Sequence, residues 1–379
     1  MMPSEAEILV NSAPAKNFWG EMPEEDKSYF ETPNGNLFTQ SFLPLDGEVK
    51  GTVYMSHGYG SDTSWMFQKI CMNFATWGYA IFAADLLGHG RSDGIRCYVG
   101  DLEKVAATSL SFFKHVLCSD PYKHLPAFLF GESMGGLATL LMYFQSEPDI
   151  WTGMIFSARL FVIPEDMKPN TWAAMPDNKM AGKAIHDPEK LKIIVSNPNR
   201  YTEKPRMGTM REILRKTQYV QENFGRVTIL LLTVHGTADG VTCPSSSKLL
   251  YEKASSADKT MKLYDGMYHS LIQGEPDENA ENVLKDMREW IDERVKSLCD
   301  RENALKPPLL ASCTSNVYVL SSYNSCPLYT YKFKKDVQHP LMYKPFGSIA
   351  LINLYATKES HEGKSTLLKA YCGIEKAYI

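Results

Sequence analysis

Residues 125–139, which read LPAFLFGESMGGLAT, decide the fold. The apolar run at 127–130 has the length of a buried strand, and the segment after the glycines favours a helix. Between them lies G-x-S-x-G, which in a strand–turn–helix context raises the hydroxyl of Ser133 above the sheet. A Cβ at Gly131 or Gly135 would strike the neighbouring strand or helix, so we expect the turn to require glycine there. The helix N-terminus that follows favours negative charge developing at the hydroxyl.

The segments around this turn alternate between apolar runs of strand length and amphipathic runs of helix length. The predicted strands lie at residues 51–56, 79–85, 127–130, 152–157, 227–234 and 261–264. Residues 29–32 and 37–42 flank the turn sequence Pro33-Asn34-Gly35-Asn36, which predicts a hairpin. Alternation of this kind predicts an α/β fold in which helices cover both faces of a mostly parallel sheet.

The alternation also predicts how the chain is divided. Residues 1–27 are polar and read as a loose lead-in, and the main domain spans residues 28–298. The strand–helix rhythm stops at about 158–224, where prolines and methionines interrupt helix-like pieces, as in an inserted helical cap. Residues 299–379 have no pattern that we recognise and form an extension for which disorder stays open.

Composition excludes several classes of function. The chain has 379 residues with a net charge of −4, so nothing favours binding to nucleic acid or to an anionic surface. No apolar run reaches the roughly 18 residues that a membrane span needs. The N-terminal segment lacks a basic region followed by an apolar core, and the eight cysteines show neither C-x-x-C pairs nor zinc spacing. We therefore expect reduced thiols and a cytoplasmic protein without a metal or an organic cofactor.

A serine hydroxyl at neutral pH needs a base, and that base needs a carboxylate to orient it. In this kind of fold the carboxylate and then the histidine follow the serine in the chain, each on a loop after a later strand. Asp239 follows the predicted strand at 227–234, and His269 follows the one at 261–264. The order Ser133, Asp239, His269 therefore predicts a catalytic triad. We interpret His235, like the other histidines in glycine-flanked turns, as a structural or supporting residue.

Acyl transfer through a serine also requires two N–H donors for the oxyanion. One is expected to be the backbone N–H of Met134, directly after the serine. The other should lie in the loop His57-Gly58-Tyr59-Gly60, which makes the N–H of Tyr59 the candidate.

With these motifs, the chain resembles the α/β hydrolases, and more narrowly the plant group that contains caffeoylshikimate esterases and monoacylglycerol lipase-like proteins. The resemblance covers roughly residues 18–298 and includes the stretches HGYG (57–60), ADLLGHGRS (84–92), GESMGG (131–136), HGTAD (235–239), YHS (268–270) and, in the cap, TWAAMPD (171–177). It implies Ser133, Asp239 and His269 as the triad, with Tyr59 and Met134 as the oxyanion donors. Two departures stand out: the cap is shorter than usual at residues 169–171, and Arg159 replaces a usual proline.

The resemblance leaves the substrate open between caffeoyl shikimate and a monoacylglycerol. Apolar cap residues suit either substrate, and they equally suit a cap core; the candidates are Phe161, Trp172 and Met175. Contact of the cap with a membrane surface stays open. An alternative of another class is a non-catalytic binder or receptor on the same fold, because folds do not determine functions.

Overall fold

The computed structural model describes residues 8–10, 28–44, 47–147, 149–163, 179–196, 201–305, 341–343, 350–358 and 368–376. The chain forms two compact units, Met1–Glu302 and Asn303–Ile379. In the described part of the first unit, nine strands form one sheet. They are β1 (Ile8–Val10), β2 (Ser28–Phe30), β3 (Leu37–Pro44), β4 (Gly51–Ser56), β5 (Tyr79–Ala84), β6 (Ala127–Glu132), β7 (Gly153–Ser157), β8 (Leu230–Gly236) and β9 (Lys259–Tyr264).

The sheet is parallel from β5 to β9 and antiparallel at its other edge. Its order is β1-β3-β5-β4-β6-β7-β8-β9, with β2 paired to β3. The predicted hairpin is confirmed, because Tyr29 pairs with Phe38 and Gly35 takes the left-handed φ of 128° that the turn requires. The carboxyl ends of β4, β6, β8 and β9 meet at one edge, which is where α/β sheets place their sites.

Helices connect and cover the strands. The described helices are α1 (Trp65–Thr76), α2 (Leu102–Leu117), α3 (Met134–Phe144), α4 (Lys179–Ala184), α5 (Pro188–Val195), α6 (Met207–Glu222), α7 (Ser245–Lys253) and α8 (Asp277–Leu305). Asp101 caps α2, since its carboxylate accepts from the N–H groups of Glu103 and Lys104. None of the described helices combines the length and the apolarity needed to cross a bilayer.

Two hydrophobic clusters cover the two faces of the sheet. Neighbouring residues of β4 belong to different clusters, as the alternation of side chains along a strand requires. Tyr54 packs against Phe113 of α2 at 5.3 Å between ring centroids, whereas Val53 lies in the cluster that contains Phe67 of α1 and Trp290 of α8. The predicted α/β fold with helices on both faces is thereby confirmed.

Some boundaries differ from the predictions. β8 begins at Leu230 rather than at 227, because its pairing with β7 begins where Leu230 pairs with Gly153, the first residue of β7. The helix α8 continues to Leu305, beyond residue 298, where the sequence predicts the end of the main domain. The described part of the predicted cap holds α4, α5 and α6, and residues 164–178 and 197–200 of the cap lie outside the described residues.

The second unit contains strands for which the sequence shows no recognisable pattern. β10 (Leu341–Tyr343), β11 (Ala350–Lys358) and β12 (Leu368–Lys376) form an antiparallel sheet in the order β10-β11-β12. In β11 and β12 apolar residues do not alternate strictly with polar ones, so neither strand has the period-2 signal that sequence analysis uses.

Candidate active site

Ser133 lies between the end of β6 and the start of α3, in a strained backbone conformation. Its φ of 53° and ψ of −123° are rare for a residue with a side chain. Backbone hydrogen bonds fix the turn from both sides: Ser133 N–H donates to Ser157 O at 3.1 Å, and Leu160 N–H donates to Ser133 O at 3.0 Å. The sharp strand–helix turn predicted for G-x-S-x-G is therefore present.

The glycines around Ser133 are required by close backbone contacts. A Cβ on Gly131 would lie 2.6 Å from the Cα of Gly136, and one on Gly135 would lie 2.3 Å from the carbonyl oxygen of Ser56. These distances are far below van der Waals contact, so both positions exclude a side chain. The structure confirms the steric reason expected from the sequence.

The predicted base and the predicted carboxylate are in direct contact. Nδ1 of His269 lies 2.8 Å from Oδ2 of Asp239, and both side chains are buried. Because a carboxylate only accepts hydrogen bonds, Nδ1 carries the hydrogen and Nε2 of His269 is left as the acceptor. An imidazole in this tautomer can take a proton from a serine hydroxyl.

Asp239 has several hydrogen-bond partners besides His269. Its Oδ1 accepts from the backbone N–H groups of Val241 at 2.7 Å and Thr242 at 2.9 Å. Its Oδ2 accepts from the Thr242 hydroxyl at 2.8 Å and also lies 2.8 Å from Nε2 of His235. His235, which we interpret from the sequence as a structural or supporting residue, thus contacts Asp239 directly. Thr242 was missed, and its only sequence signal is its position three residues after an aspartate in a turn.

The charges of this group depend on burial and on the contacts just described. Burial by itself would raise the pKa of Asp239, but the charge of His269 and the hydrogen bonds from His235 and His269 outweigh it and lower that pKa below its ordinary value. Burial by itself would lower the pKa of His269, but the Asp239 carboxylate outweighs it and raises that pKa. Burial lowers the pKa of His235, which keeps this second imidazole neutral.

The loop after β4 lies directly beside Ser133. A Cβ on Gly58 would be 3.2 Å from Cβ and 3.7 Å from Oγ of Ser133. Tyr59 follows Gly58, and its hydroxyl donates to Cys97 O at 2.9 Å, which anchors the loop. Met134 is the first residue of α3, where backbone N–H groups have no partner within the helix. Both predicted oxyanion donors therefore belong to segments next to Ser133.

The structure describes only one of the three predicted substrate-contact residues. Phe161 is fully buried and packs against Phe156 and Phe224, each at 5.4 Å between ring centroids. Substrate contact by Phe161 thus stays a prediction without geometric support. Trp172 and Met175 lie outside the described residues.

Arg159, the departure noted above, is also fully buried. Its guanidinium donates to the hydroxyl of Thr233 and to the carbonyl oxygen of Ser246, and it lies 5.1 Å from the ring centroid of Phe161. No carboxylate in the described part of the chain forms an ion pair with it. Burial lowers the pKa of Arg159 to about 9.

The fold and this site define an α/β hydrolase with a serine, a histidine and an aspartate at one edge of the sheet. Residues 47–277 match the protein family described as "Serine aminopeptidase, S33", and the chain belongs to this family. Over 325 residues it is 78% identical to the caffeoylshikimate esterase of Arabidopsis thaliana, which covers 78% of this chain and 98% of that protein. The predicted resemblance and the predicted ester hydrolase activity are confirmed.

More distant relatives share the fold and part of the sequence. The monoglyceride lipase of Rattus norvegicus is 26% identical over 292 residues, which is 72% of this chain and 93% of that protein. A crystal structure of a soluble variant of the Saccharomyces cerevisiae monoglyceride lipase, in complex with a substrate analogue, aligns with a TM-score of 0.58 at 23% identity and covers 70% of this chain and 94% of that chain. This structural similarity concerns the fold alone.

Proposed function

We propose that this protein cleaves caffeoyl shikimate into caffeate and shikimate through an acyl-enzyme on Ser133. The observation that carries the proposal is the 78% identity to a caffeoylshikimate esterase over nearly all of that protein's length. The monoglyceride lipases among the relatives reach only 26–28% identity, which supports the esterase substrate over the lipase substrate.

The proposed reaction has two halves that use the same groups. His269 removes the proton of the Ser133 hydroxyl as its oxygen attacks the ester carbonyl, and the oxyanion accepts hydrogen bonds from the N–H groups of Tyr59 and Met134. The tetrahedral intermediate collapses, His269 returns the proton to the departing alcohol, and shikimate leaves. Water then attacks the caffeoyl-enzyme with His269 again as base, and caffeate and the free Ser133 hydroxyl result. Asp239 orients His269 and stabilises its charge in both halves.

A side-by-side assay of purified protein tests the substrate. We expect kcat/KM for caffeoyl shikimate to exceed that for a monoacylglycerol by roughly tenfold or more, because a pocket with polar groups for one substrate leaves them unpaired with the other. The reverse preference would favour the second candidate, a monoacylglycerol lipase, which the lipase relatives support.

Replacing the nucleophile tests the mechanism independently of the substrate. Ser133→Ala should reduce turnover of an activated ester by roughly a millionfold, with an unchanged melting temperature. A fluorophosphonate probe should label the wild type and not this variant. Unlabelled wild-type protein would favour the non-catalytic binder.

We further propose a cytoplasmic location. Five described cysteines, Cys71, Cys97, Cys118, Cys243 and Cys299, are free thiols, as expected in a reducing compartment. Contact of the cap with membranes belongs to the lipase alternative, and sedimentation with neutral phospholipid vesicles tests it.

A further inference from the structure

A buried hydrogen bond joins the turn that carries Ser133 to the loop that carries His269. Glu132 is the last residue of β6 and directly precedes Ser133, and Gln273 follows His269 by four residues. Nε2 of Gln273 donates to Oε1 of Glu132 at 2.5 Å. Glu132 is 5% exposed and Gln273 is 7% exposed, so water does not compete for this contact.

The Glu132 carboxyl also interacts electrostatically with the imidazole of His269. Burial raises the pKa of Glu132, and the positive charge of His269 opposes that rise. In return, Glu132 is one of the groups that raise the pKa of His269, after the larger effects of burial and of Asp239. The other titratable groups nearby are the Cys71 thiol of α1, which faces Glu132, and His235 of β8, which faces the Asp239 carboxylate.

We propose that Glu132 is a positioning residue for the ester hydrolysis, and that Gln273 holds it in place. The bond from Gln273 ties the histidine loop to the nucleophile turn. The Glu132 carboxylate stabilises the imidazolium that His269 becomes when it takes the serine proton, as a second anion besides Asp239. This inference rests on the proposed roles of Ser133 and His269.

A purely structural role makes a different prediction. If Glu132 only connected two loops, a glutamine in its place would serve equally well, since its amide has the same shape and also accepts a hydrogen bond from Gln273. Only a role of the charge makes Glu132→Gln change the protonation of His269.

The test is the pH dependence of the rate at which a fluorophosphonate inactivates the protein, which requires no knowledge of the natural substrate. For Glu132→Gln we expect the acidic limb of this profile to shift to lower pH, because neutral His269 persists further into acid without the carboxylate. The plateau rate should fall roughly tenfold, because the imidazolium loses one of its two anions. The double variant Glu132→Gln/Gln273→Glu returns a carboxylate to the buried pair, and its limb should move back toward that of the wild type.

The proposal would be overturned if Glu132→Gln has a normal melting temperature and the acidic limb of its pH profile lies at the same pH as in the wild type. If that variant does not fold, Gln273→Leu removes a hydrogen bond that lowers the pKa of Glu132 and so favours the neutral carboxyl. We then expect a reduced plateau rate with the limb displaced to lower pH, and a wild-type plateau and limb would overturn the proposal. If the wild type itself fails to react with the probe, the proposed function fails instead, so the two failures are distinguishable.

Discussion

The imidazole of His235 lies 2.8 Å from Oδ2 of Asp239, the same carboxylate oxygen that His269 contacts. Nδ1 of His235 lies 2.7 Å from the hydroxyl of Ser247, and His235 is fully buried. Because burial keeps His235 neutral, its Nε2 donates to the carboxylate while its Nδ1 accepts from the serine. His235 therefore shares the Asp239 charge with His269 without adding a charge of its own.

Removing this donor should change the base as well as the aspartate. In His235→Leu, Asp239 loses a hydrogen bond and becomes more basic, so the pKa of His269 rises and the acidic limb of kcat/KM moves to higher pH. We expect kcat/KM at neutral pH to fall roughly tenfold. His235→Gln is the matched control, because its amide reaches the position of Nε2 and should restore most of the activity. A wild-type pH profile in His235→Leu would contradict this account.

The pH dependence of the wild type follows from the shifted groups. His269 must be neutral to accept the serine proton, and its pKa is raised above the ordinary value of 6.5. Activity should therefore be full above that raised pKa and fall as the pH drops through it. Asp239, whose pKa is lowered, stays ionised over this range and adds no limb of its own. In Asp239→Asn we expect the limb at lower pH and a kcat reduced by roughly ten-thousandfold. An acidic limb below 6.5 in the wild type would contradict the assignment.

Gly135 should tolerate no side chain. A Cβ there would lie 2.3 Å from the Ser56 carbonyl and 2.4 Å from that of His57, and backbone atoms in the centre of a sheet do not yield cheaply. Gly135→Ala should lower the free energy of unfolding by about 3 kcal/mol or more, measured by urea denaturation. Gly182 of α4 is the control, because no described atom lies within 4 Å of its added Cβ. Gly182→Ala should be neutral or stabilising by about 0.5 kcal/mol. Equal stability of the two variants would refute the steric argument.

Arg159 should cost stability at neutral pH. It is a fully buried cation whose described partners are a hydroxyl and a carbonyl, so its desolvation has little compensation. Arg159→Met should raise the free energy of unfolding by about 1 kcal/mol at pH 7, and Arg159→Lys, which keeps a charge, should not.

Since burial lowers the pKa of Arg159 from 12.5 to about 9, the unfolded chain binds more protons than the folded chain between these two values. The wild type should therefore become more stable, relative to Arg159→Met, as the pH rises above 9. A lower melting temperature for Arg159→Met at pH 7 would show that the hydrogen bonds outweigh the desolvation.

Much of the fold was predictable from local patterns. β4 has the predicted bounds, Gly51–Ser56, and the turn at Gly35 has the predicted hairpin on either side. Both signals are local: a continuous apolar run describes a strand covered on two faces, and Asn-Gly describes a turn. The start of β8 was less predictable, because residues 227–229 continue the apolar and β-branched pattern of a strand although the pairing with β7 begins only at Leu230. The strands of the second unit give no alternation to detect.

Chain order names candidate members of the site, but the sequence does not predict their contacts. Chain order selects Asp239 and His269 because each directly follows a strand whose end lies at the same edge of the sheet. The bond between Glu132 and Gln273 joins residues 141 positions apart, and nothing in either segment indicates the other. The burial of Arg159 without a described carboxylate is equally unpredictable from the sequence, since it depends on which residues of α3, β7 and β8 surround the side chain.

The sequence by itself determined the α/β class, the serine turn and the choice of Ser133, Asp239 and His269 as the candidate triad, because glycine requirements, apolar runs and chain order are properties of short segments. Only the tertiary structure decided that one oxygen of Asp239 serves both His235 and His269, and that Glu132 reaches the histidine loop. The physical reason is that hydrogen bonding and desolvation depend on distances across neighbouring strands, which parallel pairing sets and local sequence does not encode.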